Sequence, residues 1–334
     1  MEDPHPVSMS RRREFLALAG AALALPAAHA GNSAARPVAL SNPPVGLPKQ
    51  WSRAPSIPLW PGDPPGAAGF AIHPVSENAS PVFVHNVAKP ELRVFRPARP
   101  NGLAVVVVPG GSYEFVSIAN EGLEVAQKLT GYGLTVCVLT YRLPGEGWAD
   151  RSSVPLQDAQ RAMRIVRSRA TQLAIDANRV SVLGFSAGGH LAATLATQHS
   201  EHSYERIDAV DQLDARPWAA GLIYPVVTLE KPWTHVISRG HLLGEDPSDA
   251  DVARRSPDQH VDSATPPVCL VHAFDDRAVP VENSLRLMSA MRAAGRSVEA
   301  HLLQEGGHAF GTGRPGSPSE HWPALYASWL ARIT

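Results

Sequence analysis

Two runs restrict the fold of this 334-residue chain more than any other feature: Leu103–Val108, apolar throughout, and Leu134–Leu139, apolar but for Thr135. A strand with one wet face alternates in polarity, whereas a strand apolar at nearly every position is buried on both faces, as in a parallel sheet. The first run ends in Pro109-Gly110-Gly111, and a helical pattern from Glu121 to Thr130 precedes the second. Further strand-like runs lie at Arg179–Leu183, Ala219–Tyr224, Val268–His272 and Val298–Leu303. Helical segments at Pro155–Gln172, Val281–Ala294 and Pro323–Ile333 fall among them. The alternation predicts an α/β fold, a doubly wound and mostly parallel sheet with helices on both faces. Ahead of it, Pro81–His85 and Glu91–Phe95 alternate in polarity and predict two short antiparallel strands opening the sheet.

The chain before residue 81 reads differently. Ser10-Arg11-Arg12-Arg13-Glu14-Phe15-Leu16 resembles a twin-arginine export signal, followed by an apolar stretch to Leu25 and the small-residue site Ala28-His29-Ala30. A membrane anchor would need about 20 uninterrupted apolar residues, and Pro26 interrupts too soon. Residues 1–30 are therefore expected to be a signal peptide directing export to a bacterial periplasm or beyond, with no stable membrane anchor. Proline, alanine and glycine then dominate, so 31–80 is expected to be a leader or linker and 81–334 the domain that carries the sheet. A net charge of -1 offers no sustained basic field for a nucleic acid. The cluster Arg161, Arg164, Arg167 and Arg169 reads as a solvated helix face.

Parallel strands discharge their C-terminal ends along one edge, where ligands bind. One exit there, Gly184-Phe185-Ser186-Ala187-Gly188, places a serine between glycines where a strand gives way to the helix-forming run His190–Thr197. Glycines two residues either side allow the strained, close-packed turn that projects a nucleophile. A serine hydroxyl is a weak nucleophile at neutral pH. It needs an imidazole to take its proton and a buried carboxylate to hold that imidazole in the right tautomer. Later strand exits supply Asp275-Asp276 and Gly306-Gly307-His308, giving Ser186, Asp276 and His308 in the chain order of the nucleophile-elbow hydrolases. Asp158 lies within a helical pattern and is expected to pair with an arginine such as Arg142, while His272, ending a strand beside the acid loop, reads as packing or support. No metal-ligand spacing is present, and neither metal nor cofactor is required.

These strings, with Val108–Tyr113, Tyr141-Arg142-Leu143 and His272–Ser284, resemble the α/β-hydrolase esterases, in particular the acetyl xylan esterase and feruloyl esterase relatives that accompany polysaccharide degradation. The resemblance runs from about Pro81 to the C-terminus. It implies that the acid stands three residues before Val279-Pro280, which selects Asp276 over Asp275. It implies an oxyanion hole of backbone N–H groups from Ala187 and the Gly111-Ser112 region, although Pro109 and Ser112 replace a histidine and a glycine of the lipase pattern. By the same resemblance the Cys137 and Cys269 strands lie about four places apart, roughly 19 Å and beyond disulfide reach.

The expected activity is hydrolysis of short-chain, chiefly acetyl, esters of carbohydrate or similar alcohols through an acyl-enzyme. Tyr113, Trp148 and Trp233 fall on loops expected at the active edge and are candidates for substrate contact. The alternatives on the same fold are a serine peptidase or a general lipase or esterase. From another class, a catalytically inactive carbohydrate-binding protein would share the fold.

Overall fold

A computed structural model describes residues 46–333, so the export signal and the first part of the expected leader lie outside the described residues. The strands are β1 (Ser56–Pro58), β2 (Phe83–Val84), β3 (Glu91–Phe95), β4 (Ala104–Val108), β5 (Val116–Ser117), β6 (Thr135–Thr140), β7 (Val180–Phe185), β8 (Ala220–Ile223), β9 (Val268–Ala273) and β10 (Val298–Leu303). The α-helices are α1 (Lys49–Arg53), α2 (Glu124–Thr130), α3 (Val154–Ser168), α4 (Ala170–Leu173), α5 (Ser186–Gln198), α6 (Val236–Leu243), α7 (Asp249–Arg254), α8 (Glu282–Ala293) and α9 (Trp322–Arg332).

Eight strands form one sheet in the order β1-β3-β6-β4-β7-β8-β9-β10. All neighbours from β6 to β10 in that order pair in parallel; β3 alone runs against the rest, pairing antiparallel with β1 on one side and β6 on the other. Every residue of β4, β6, β7, β8 and β9 is buried, as their apolar runs require. At the edge, β10 is half-buried throughout. Cys137 on β6 and Cys269 on β9 stand four places apart in the strand order and are buried free thiols. Burial pushes both up to about 12.

Three expectations change. The strands at 81–85 and 91–95 do not pair with each other: β2 pairs with β5 in a separate two-stranded ribbon, while β3 inserts between β1 and β6. The leader or linker placed at 31–80 is not one over its later part. Residues 49–60 form α1 and β1, and Trp51, Ile57, Leu59 and Trp60 are core residues, so the packed domain begins well before residue 81. Prolines recur there, at 55, 58 and 61, but four large apolar side chains suffice to anchor the segment. Of the arginine cluster only Arg169, just past α3, is exposed as expected; the other three are not a solvated face. Arg161 is buried against Asp208 and Asp211, Arg164 donates to Tyr204 Oη, and Arg167 donates to the Arg216 carbonyl.

The segment after β1 is fastened through one buried ion pair. Arg142, at the exit of β6, and Asp158, on α3, have no exposed side-chain surface and meet at 2.8 Å. Asp158 also accepts from Trp60 Nε1 at 2.8 Å and from the Arg142 N–H at 2.8 Å. Arg142 donates onward to the Pro65 carbonyl and Gln157 Oε1. Its guanidinium lies 5.5 Å from the Trp60 ring centre and 5.1 Å from that of Trp148. Removing one partner leaves the other charge buried and uncompensated. Asp158→Ala is therefore expected to lower stability by about 3–5 kcal/mol, read as a shift of the urea unfolding midpoint; an unchanged midpoint would show the pair to be dispensable.

Candidate active site

The turn between β7 and α5 is built by backbone contact. A Cβ on Gly188 would stand 2.2 Å from the Val108 carbonyl oxygen, and one on Gly184 would stand 2.2 Å from that of Gly188. Only glycine permits this approach. Between them Ser186 adopts φ +50°, a left-handed conformation that non-glycine residues hold only where packing enforces it. The result is a serine at the first turn of α5, beside the exit of β4.

Ser186 Oγ lies 2.9 Å from His308 Nε2, and His308 Nδ1 lies 2.7 Å from Asp276 Oδ2. The loops after β7, β9 and β10 thus deliver three side chains into one hydrogen-bonded chain. Asp276 Oδ1 accepts from the N–H groups of Ala278 and Val279, each at 2.9 Å. Burial works against its charge. Hydrogen bonds from His272 and His308, the charge of His308 and the Val279 N–H overcome that and hold the carboxyl well below the ordinary carboxylate range. His272 lies 3.2 Å from Asp276 Oδ2, with its Nδ1 2.8 Å from Ser284 Oγ. It steadies the acid from behind. Asp275 is exposed and takes a different position, accepting from the Gly307 N–H at 2.7 Å and bracing the loop that carries His308.

Beside Ser186, the exit of β4 folds back on itself. Gly111 takes φ +129°, where a Cβ would stand 2.1 Å from the Phe115 carbonyl oxygen, and Ser112 and Tyr113 follow at +57° and +60°. The Gly111 carbonyl accepts from Glu114 and Phe115, closing the turn. The Gly110 N–H is engaged by Glu121 Oε2 at 2.7 Å. Among the described residues, the N–H groups of Gly111, Ser112 and Ala187 make no hydrogen bond, so they remain as donors for an oxyanion.

Glu121 was not singled out from the sequence. It lies in a single π-helical turn, Ala119–Leu123, leading into α2, and is buried. Burial raises its pKa, opposed by hydrogen bonds from Gly110 and Tyr224. Tyr224, at the exit of β8, donates to Glu121 Oε1 at 2.8 Å and accepts from the Gly311 N–H at 3.1 Å. Its ring packs edge-on against His308, 4.9 Å between centres. One buried carboxylate and one phenol therefore tie the β4 exit to the histidine loop. Nothing local distinguishes Glu121 from a surface glutamate at a helix start.

The three aromatic candidates separate. Tyr113 is buried, its Oη 2.7 Å from His190 Nδ1, and His190 Nε2 donates to the Arg255 carbonyl at 2.7 Å. Burial pushes His190 down to about 4, so it is a neutral packing group. Trp148 is also buried, stacked on Phe70 and Arg142. Neither ring is exposed; both were placed on strand-exit loops, and both fold inward because a large ring gains more by burial. Trp233 alone is exposed, and its carbonyl accepts from Asn283 Nδ2. Two residues on, His235 is pushed down to about 4, first by burial and then by the charge of His308.

An eight-stranded, mostly parallel sheet with a serine at the β7–α5 turn, joined to a histidine and an aspartate from later strand exits, defines an α/β-hydrolase. Within that class the chain belongs to the BD-FAE family, whose model matches residues 93–291. An acetylxylan esterase of Xylanibacter ruminicola is 35% identical over 231 residues, 67% of this chain and 44% of the relative. An endo-1,4-beta-xylanase B of Butyrivibrio fibrisolvens is 32% identical over 188 residues, 56% of this chain and 29% of the relative. The chain thus spans less than half the length of these two curated relatives. Among solved structures, an acetyl ester-xyloside bifunctional hydrolase of Caldicellulosiruptor lactoaceticus superposes with a TM-score of 0.69 at 32% identity, covering 84% of this chain and 96% of that one.

The depressed Asp276 carboxyl carries a consequence for stability in acid. Between its folded pKa and the unfolded value of about 3.9, the unfolded chain binds more protons, so stability falls as pH falls. Asp276→Asn removes this contribution. Its melting temperature is expected to decline less steeply than that of the parent below about pH 4, measured by calorimetry across pH; parallel declines would contradict the shift.

Proposed function

We propose that this chain is a serine carboxylesterase that removes short acyl groups, acetyl above all, from carbohydrate or similar alcohols. The observation that carries the reading is the unbroken chain from Ser186 Oγ to His308 to Asp276, with free N–H groups beside the serine. The acetyl and carbohydrate parts are supported by the named relatives, an acetylxylan esterase and an acetyl ester-xyloside hydrolase.

In this mechanism Ser186 Oγ attacks the ester carbonyl carbon as His308 Nε2 takes its proton. The carbonyl oxygen becomes an oxyanion, received by the N–H of Ala187 and those of Gly111 and Ser112. Because these donors are fixed by left-handed backbone and by the Glu121 contact to Gly110, they need little reorganisation as charge develops. The tetrahedral intermediate expels the alcohol, which leaves with the proton from His308. Water then gives its proton to the same imidazole and attacks the acyl-serine, and collapse returns the proton to Ser186 with release of the acid. Asp276 remains ionised throughout and stabilises the imidazolium.

Rates on aryl acetate, butyrate and octanoate are expected to fall in that order, with acetate released from acetylated xylan in preference to ferulate from feruloyl esters. Preference for octanoate would remove the short-acyl reading. A fluorophosphonate should label Ser186, and Ser186→Ala or His308→Ala should each abolish nearly all turnover, because the residues act as a unit. Intact protein that neither labels nor turns over would be a binder and not an enzyme.

The N-terminal sequence supports a second proposal, export of the folded protein to a periplasm or beyond through Arg12-Arg13. Replacing both by lysine should trap unprocessed precursor inside the cell, detected by fractionation; normal export of that variant would refute the assignment.

A further inference from the structure

A cavity of about 540 Å³ opens beside the loop that holds the candidate oxyanion donors, and it contains neither Ser186 nor His308. Its walls include Tyr113, Glu114 and Phe115, the residues directly after Ser112, together with Phe83, Arg151 and His241. The volume is that of a site for a ligand of one or two sugar rings. Phe83 and Phe115 lie 4.6 Å apart between ring centres and are each half-buried, an apolar surface of the kind that packs against the C–H face of a sugar.

Arg151 is the unusual member. Nε donates to the His241 carbonyl at 2.8 Å and Nη2 to the Gly240 carbonyl at 3.2 Å, near the end of α6, while Nη1 has no partner among the described residues. No carboxylate among the described residues forms an ion pair with it. The nearby Glu146 carboxylate is occupied by the N–H groups of Asn86 and Val87. Partial burial pulls the guanidinium pKa down, with no anion to restore it. Capping α6 accounts for two of its nitrogens and leaves its charge without an ion-pair partner among the described residues, although Glu114 and the buried Glu146, whose carboxyl burial pushes up, also line the cavity. The position is linked to the reaction site, because His241, whose carbonyl Arg151 holds, lies with Nδ1 2.8 Å from the Ser112 carbonyl oxygen.

We propose that this cavity receives the alcohol portion of the ester and that Arg151 selects alcohols bearing a carboxylate, as in a glycan that carries a uronic acid near its acetyl group. The inference rests on the esterase reading for its place in the reaction, but the cavity and its unpaired cation are independent of it. A planar guanidinium with a free edge suits a carboxylate better than a neutral hydroxyl.

The test compares acetylated glucuronoxylan oligosaccharides with the same material after reduction of the uronic acid to the neutral alcohol, which removes the charge while keeping the sugar. For the unmodified enzyme, kcat/KM is expected to be about tenfold or more higher on the acidic form, the scale of one charge-assisted hydrogen bond. The preference should weaken with added salt and collapse in Arg151→Gln, read as the ratio of kcat/KM on the acidic form to that on the reduced form for the same variant, so that any general loss of turnover cancels. Equal kcat/KM on the acidic and reduced forms would overturn the proposal, as would a preference that survives in Arg151→Gln. Calorimetric titration of the Ser186→Ala protein with deacetylated acidic and reduced oligosaccharides reads the same preference without turnover. If aryl acetate is not hydrolysed the esterase reading fails, and this titration alone decides the binding site: tighter binding of the acidic form upholds it, and equal or absent binding rejects it.

Discussion

The contact on which the molecule turns is one of main chain against main chain: Gly188 of α5 lies directly upon the carbonyls at the end of β4. No side chain could be inserted there without parting the helix from the sheet. Because the approach is so close, Ser186 and the Gly110–Ser112 turn become neighbours although more than 70 residues separate them in sequence. The candidate nucleophile and the candidate oxyanion donors are thus set by packing at the centre of the sheet, where β4 and β7 pair over five consecutive residues. A buried five-residue ladder is a stiffer reference than any loop.

Around that reference the remaining loops are fastened pairwise. Asp275 holds the N–H of Gly307, Asp276 holds His308, and Tyr224 reaches both Glu121 and Gly311. Adjacent aspartates therefore divide two tasks, one bracing backbone and one facing the imidazole. The buried Glu121 is costly as a charge, and its two hydrogen bonds lie between the turn that carries the candidate oxyanion donors and, through Tyr224, the loop that carries His308. Rigidity of this kind would reduce the rearrangement needed in the proposed reaction.

The sheet and the elbow were legible because they are written in local pattern. Apolar runs at 104–108 and 135–140, and glycines at fixed offsets from Ser186, report burial and close approach without reference to the rest of the chain. The spacing before Val279-Pro280 pointed to Asp276, and the structure brings that residue, not Asp275, to His308. What sequence could not show is long-range. Glu121 meets Gly110 only because a π-helical turn aims it inward, and Tyr113 and Trp148 turn inward only because His190 and Arg142 wait there. The pairing of β2 with β5 is likewise a tertiary choice that alternation in 81–85 does not encode. Composition misled most between 49 and 65, where five prolines outnumber the four large side chains, Trp51, Ile57, Leu59 and Trp60, that decide the packing.

That early segment also changes what counts as the edge of the domain. Trp60 and Pro65 complete the hydrogen bonding of two charges enclosed beneath them, and the indole covers one face of the guanidinium. A fragment begun at residue 81 would keep every strand of the sheet's parallel part and every residue of the candidate site, yet would open that enclosed pair to water from above. The smallest self-sufficient unit is therefore marked by solvation of an ion pair, and a gene truncated to the recognisable motifs would cut through the roof of its own interior.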